Sequence, residues 1–180
     1  MLLRILKSFV IIGFAFGSTA AFAAAQQPQA APQQATAPSG EALLGQTPKA
    51  TAEGTEKGQL KSPYADFAKV ADEGHKKFMA AGCNGCHGGG GGGGMGPPLT
   101  NEVWIYGKDD DTLFRLVALG SDGLKAHGYA RKGSENVVGP MPAMGEVVKT
   151  DDDMWKIIAW IRSVNPSSAS ASAASPPPAE

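Results

Sequence analysis

Residues 83–87 read Cys-Asn-Gly-Cys-His, and they hold both cysteines of the 180-residue chain. Two thiols are too few for a disulfide-stapled mini-protein or a four-thiolate zinc site within one chain. The spacing C-x-x-C followed at once by histidine is that of covalent c-type haem attachment. Thiols three positions apart can reach both vinyl groups of one porphyrin, and the next histidine is then held under the iron as a proximal ligand. Cys83 and Cys86 are therefore the expected attachment points for one haem c, and His87 the expected metal ligand. A redox-active disulfide and half of a zinc site are the competing readings. Neither explains His87, and the chain offers neither a βαβ pattern nor a second ligand pair.

The flanks agree with loading outside the cytoplasm. Arg4 and Lys7 precede the apolar run Phe9 to Phe16, and small residues ending in Ala21-Phe22-Ala23 follow. This is the layout of a secretory signal peptide, expected at 1–23, with an uncleaved anchor as the alternative. A periplasmic location follows. From 24 to 62 the sequence is rich in Ala, Gln and Pro, which predicts a disordered linker, and 167–180 predicts a Ser/Ala/Pro tail of the same kind. The folding unit is expected at 63–166. Its charges nearly cancel over the whole chain, 16 basic against 17 acidic, which excludes a nucleic-acid partner.

Inside that unit the apolar spacing is helical. Phe67, Val70, Ala71, Gly74 and Phe78 predict a helix over 65–80, ended by Gly82. Asp109 to Asp111 cap a second helix whose buried face is Leu113, Phe114, Leu116 and Val117, with Gly120 as its stop. Thr150 and Asp151 to Asp153 open a third, with Met154, Trp155, Ile157, Ile158 and Ile161 inward and Pro166 closing it. No strand pattern occurs, so the fold class is all-α. Three short helices bury little, so segments 83–108 and 120–149 require an organising centre.

With these landmarks the span Tyr64 to Val164 resembles the class I, monohaem and mitochondrial-like, cytochrome c family, in its bacterial periplasmic form. Gly74 and Phe78 stand where that family crosses its terminal helices, and Trp160 stands at the facing aromatic position. The resemblance implies a small fold of three to four short helices around one covalent haem. It also aligns Gly96-Pro97-Pro98-Leu99 with a loop whose proline carbonyl accepts the proximal imidazole N–H, which gives Pro97 the role of orienting His87. Met141, in Gly139-Pro140-Met141-Pro142-Ala143-Met144-Gly145, matches the family's axial methionine, and Met144 is the alternative sixth ligand. Trp104, Tyr106 and Tyr129 are candidate hydrogen-bond donors to the haem propionates, with core packing as the competing role.

Other residues carry weaker expectations. His127 is read as solvent exposed in preference to a distal ligand, and His75 as lying on a wet helix face. The run Gly88 to Gly94 lacks the Lys-Ser or Lys-Thr of a phosphate loop and is expected to form a pliable span at the haem edge. Lys125, Arg131 and Lys132, with Asp122 and Glu135, are candidates for a docking rim. The expected function is a non-enzymatic carrier of single electrons between redox partner proteins, in transient contact and without a small-molecule substrate. A membrane complex is a candidate donor or acceptor. A five-coordinate haem sensor and a thiol-disulfide oxidoreductase using Cys83 and Cys86 are the alternatives.

Overall fold

The computed structural model describes residues 46–136, 138–165 and 167, and among these no strand occurs. Five helices follow one another: α1 Pro48–Gly54, α2 Ala68–Ala80, α3 Asn84–His87, α4 Asp110–Ala126 and α5 Asp151–Val164. The expected leader at 1–23, the linker up to 45, Pro166 and residues 168–180 lie outside the described residues.

α5 is the central element. Thr150 caps it by accepting the Asp153 N–H at 3.1 Å, and three aspartates in the first turn complement the positive end of the helix dipole. Met154, Trp155, Ile157, Ile158, Trp160 and Ile161 are all buried, so α5 is covered around most of its circumference. α2 crosses it with Ala71, Gly74 and Phe78 facing inward, positions one turn and two turns apart. Phe78 meets Trp160 with ring centroids 4.3 Å apart, and Phe114 of α4 meets Trp155 at 4.6 Å. Lys77–Asp153 at 2.8 Å and Glu73–Lys156 at 2.9 Å bridge the edges of the crossing.

Two expectations about element bounds are corrected. α2 begins at Ala68, three residues later than the apolar spacing suggested, because the stretch before it turns on Asp66, which accepts the Ala68 N–H at 3.1 Å. Gly120 does interrupt the second helix, at φ 71° and ψ 177°, yet a further helical turn runs on to Ala126, so the stop is a kink. The early part of the segment 120–149 is therefore helical.

The larger correction concerns 24–62, read as disordered linker. Residues 47–62 fold onto the helices as a strap comprising α1 and an extended run that ends near Ser62. Composition concealed this because the strap buries small groups, Ala52 and Thr51, with Leu60 its single large buried residue. Backbone hydrogen bonding holds it instead. Arg115, 1% exposed, donates to the carbonyls of Ala52, Thr55 (2.7 Å) and Glu56 (2.9 Å) and pairs with Asp111 at 3.1 Å. Asp111 in turn accepts the Leu60 N–H at 3.1 Å and the Tyr129 hydroxyl. Burial pushes the Asp111 carboxyl up, but its bonds from Arg115, Tyr129 and the Leu60 amide outweigh this and hold it below its ordinary value.

Under α1 lies Asp151, 1% exposed, whose Oδ2 accepts from Thr51 Oγ1 at 2.6 Å while Oδ1 has no partner. Burial pushes its pKa up to about 6, opposed by the Thr51 bond. A raised carboxyl pKa means the folded chain holds a proton that the unfolded chain releases near its ordinary 3.8, so this group's contribution falls as pH rises from about 4 to about 6. Asp151→Asn is expected to remove that decline and to raise stability at pH 7 by about 1–3 kcal/mol. Denaturant midpoints of both proteins between pH 4 and 7 check it; a constant gap between the two curves contradicts the assignment.

Candidate functional site

Two residues beyond α2, Gly82 at φ 77° turns the chain so that Cys83 starts the single turn of α3. The turn brings Cys83, Cys86 and His87 to the wall of one cavity of about 610 Å³. Burial pushes the Cys83 thiol above its ordinary value. Both cysteines are free and half-buried.

The glycine run closes on the motif. Gly93 N–H donates to His87 O at 2.8 Å and Gly96 N–H to Cys86 O at 3.0 Å, satisfying carbonyls that the end of α3 leaves open. A Cβ at Gly94 would lie 2.9 Å from Cys86 O, and one at Gly96 would lie 3.0 Å from the His87 ring. The run thus wraps the motif through Gly88, Gly93 and Gly94, while Gly90 and Gly92 stand in open space. His75 belongs to the same wrap. It stacks on Trp160 with ring centroids 4.6 Å apart and its Nε2 lies 2.7 Å from Gly89 O, so it does not stand on a wet face as expected.

Beyond the wrap, the loop at Pro97 is tied to the end of α5, where Asn165 Nδ2 donates to Leu99 O at 2.9 Å and Asn101 O at 2.6 Å. This places Pro97 O 2.9 Å from His87 Nδ1. Because a carbonyl only accepts, Nδ1 carries the proton and Nε2 keeps its lone pair free for a metal.

The methionine loop is placed by the kink in α4. At Gly120 the helical ladder breaks, and the Ser121 N–H donates to Met141 O at 2.9 Å instead of to a carbonyl one turn back. The carbonyls of Val117 and Ala118, so released, accept from Met144 N–H at 2.9 Å and Gly145 N–H at 3.0 Å. Ser121 Oγ closes the fit by accepting the Met141 N–H at 3.0 Å. Met141 and Met144 are both half-buried and both line the cavity, as do Trp104 and Tyr106.

Several side chains serve otherwise than expected. Trp104 Nε1–H donates to Ser167 Oγ at 2.7 Å, so its indole proton is engaged within the chain. Tyr129 is absent from the cavity wall and donates its hydroxyl to Asp111. Its pKa is pushed up to about 12 by burial and by that carboxylate. His127, by contrast, is exposed as expected, with Nδ1 2.9 Å from Gly123 O. Lys125 and Arg131 line the cavity, whereas Lys132 does not. Lys125 and Arg131 reach the cavity through the folding of the segment after Gly120.

The cavity suits a flat, largely apolar macrocycle with a charged edge. Its volume is within the ~300–1,000 Å³ usual for small-molecule sites. Leu113, Val117, Ile157 and Ile161 give it an apolar floor, and thiols, imidazole and thioethers sit on the same wall system as the cationic Lys125 and Arg131.

Comparison with known proteins agrees. The cytochrome c family model matches residues 71–165. The chain belongs to the cytochrome c family. A cytochrome c carries covalently bound haem c and transfers electrons with redox partner proteins. Among solved structures the chain is similar to cytochrome CL from the marine methylotrophic bacterium Methylophaga aminisulfidivorans MPT, at 22% identity over 72% of this chain and 88% of that one, with a TM-score of 0.42. No curated protein matches the sequence. Among the described residues, no helix is long and apolar enough to cross a membrane.

Proposed function

We propose that this cytochrome c is a periplasmic monohaem electron carrier, with the haem bonded to Cys83 and Cys86 and the iron held by His87 and Met141. The observation that supports this most directly is the 2.9 Å contact between His87 Nδ1 and Pro97 O, which leaves Nε2 as the coordinating nitrogen on the wall of a cavity shared with the methionine loop. The haem supplies a one-electron ferrous–ferric couple when bound.

The chain's own contribution is rigidity and charge. His87 is fixed by its hydrogen bond to Pro97 O, and any side chain at position 96 would press on its ring. The methionine loop is pinned to α4 by three backbone hydrogen bonds and one to the Ser121 hydroxyl, which limits rearrangement on gain or loss of an electron. A soft thioether favours reduced iron and raises the potential. Arg131, whose guanidinium makes only a 3.4 Å contact to Glu135 O, and Tyr106 are the cavity groups suited to propionate carboxylates. Lys125 is already paired with Asp122 at 2.7 Å. With His87 and Met141 both holding the iron, no site would be left for a substrate, and donor and acceptor proteins would be met by transient contact.

Met141→Leu is expected to abolish the methionine-to-iron(III) band at the red end of the visible spectrum and to lower the reduction potential by on the order of 0.1–0.3 V, within the roughly 0.8 V that axial ligation spans. Met144→Leu is expected to keep the band. Survival of the band in Met141→Leu with its loss in Met144→Leu would transfer the role to Met144, and survival in both single variants with loss in the double variant would mean that either thioether can ligate.

A further inference from the structure

The family model begins at residue 71, yet the strap at 47–62 lies outside that span and touches the methionine loop. Lys49 N–H donates to Gly145 O at 3.3 Å. The approach is backbone to backbone: a Cβ on Gly145 would stand 2.8 Å from Lys49 N, 3.0 Å from Lys49 Cα and 2.7 Å from Ala118 O. Gly145 is thus held between α4 on one side and α1 on the other.

Three further ties fix α1 where it can act as a brace. Thr51 is bonded to the buried Asp151 at 2.6 Å, and Arg115 gathers the carbonyls of Ala52, Thr55 and Glu56. Lys57 Nζ donates to Gly128 O at 2.7 Å and sits 4.2 Å from the centroid of the Tyr129 ring. Both ends of the kinked segment that carries the methionine loop are therefore covered by the strap. α4 supplies the hydrogen bonds that orient the loop, but those bonds lie on one side only. Without α1 the other face of Gly145 would be open, and the loop could lift as a unit from the Gly120 kink.

We infer that the strap is a positioning element for the sixth ligand, an outer brace that keeps the methionine thioether on the iron. This rests on the proposed methionine ligation. Residues distant from the cavity then govern coordination: Ala52 and Arg115 line no part of it.

Two variants of the full-length, haem-loaded protein test the brace. Ala52→Glu puts a charge into a site with 0% exposure, and Arg115→Met removes the clamp on three strap carbonyls while keeping an apolar stem. Strap release is read as the rate of tryptic cleavage after Lys49, expected to rise at least tenfold. Covalent haem staining and helical circular dichroism are expected to persist in Arg115→Met, which covers the case of Ala52→Glu failing to fold. The ferric red band is expected to fade, and imidazole to bind the ferric iron at least tenfold more tightly than in the unaltered protein. Faster cleavage with an unchanged band and unchanged imidazole affinity overturns the inference, as does a failure of both variants to speed cleavage. Absence of the band in the unaltered protein would instead defeat methionine ligation itself, leaving the two failures distinct.

Discussion

Gly74→Ala is expected to destabilise the folded protein by more than about 3 kcal/mol, although alanine is the better helix former by about 1 kcal/mol. An added Cβ would stand 1.9 Å from Lys156 O and 2.6 Å from Lys156 C, with Trp160 Cβ at 3.1 Å. The obstacle is the backbone of α5, which no rotamer change can move aside. Relief requires α2 and α5 to separate, and separation opens Phe78–Trp160 and strains the Lys77–Asp153 and Glu73–Lys156 bridges. Losses of that size come from backbone overlap and core opening acting together. Chemical unfolding of the haem-loaded protein, followed by helical circular dichroism, measures it. A loss under about 1 kcal/mol would show that the helices are not in the contact described.

Gly120→Ala should act on ligation more than on global stability. The residue combines φ 71° with a hypothetical Cβ that would lie 2.6 Å from Met141 O and 2.8 Å from Ala143 N. The positive φ alone disfavours alanine by roughly 1–2 kcal/mol. The overlap adds displacement of the very loop that carries Met141. The expected result is loss of the red charge-transfer band and a lowered reduction potential, with the helix content and covalent haem retained. An unaltered band would mean that the kink does not set the loop's position. Met141→Leu and Gly120→Ala should share a spectrum, since one deletes the thioether and the other moves its backbone.

The sequence makes much of this chemistry legible because the key signals are short-range. Cys83, Cys86 and His87 sit within five residues, and the cap Thr150 with the apolar series of α5 is a local pattern whose meaning does not depend on distant contacts. Gly74, Phe78 and Trp160 were also recognisable by position, and the crossing brings them together as expected. The role suggested for Pro97 needed only a carbonyl at the right place, and the distance of 2.9 Å to His87 Nδ1 accords with it.

Other assignments went astray for one recurrent reason: a polar or small residue declares its partner only in three dimensions. Tyr129 and Trp104 were candidate donors to propionates or packing residues, and only the fold shows that Asp111 and Ser167 accept their protons while Trp104 keeps its place on the cavity wall and against the core. The glycines from 88 to 94 have the composition of a flexible run, and only the fold shows that carbonyls of the motif accept the Gly88 and Gly93 amides. His75 gained a stacking partner on another helix.

Local order therefore made α2, the start of α4, α5, the Cys83–His87 motif and the pair of candidate methionines legible, since each is written in residues a few positions apart. Tertiary structure alone decided that 47–62 belongs to the fold and that Gly120 kinks a helix to receive a loop. Both depend on backbone groups finding partners far along the chain, as Arg115 finds Ala52, Thr55 and Glu56, and backbone carbonyls and amides are the same in every sequence.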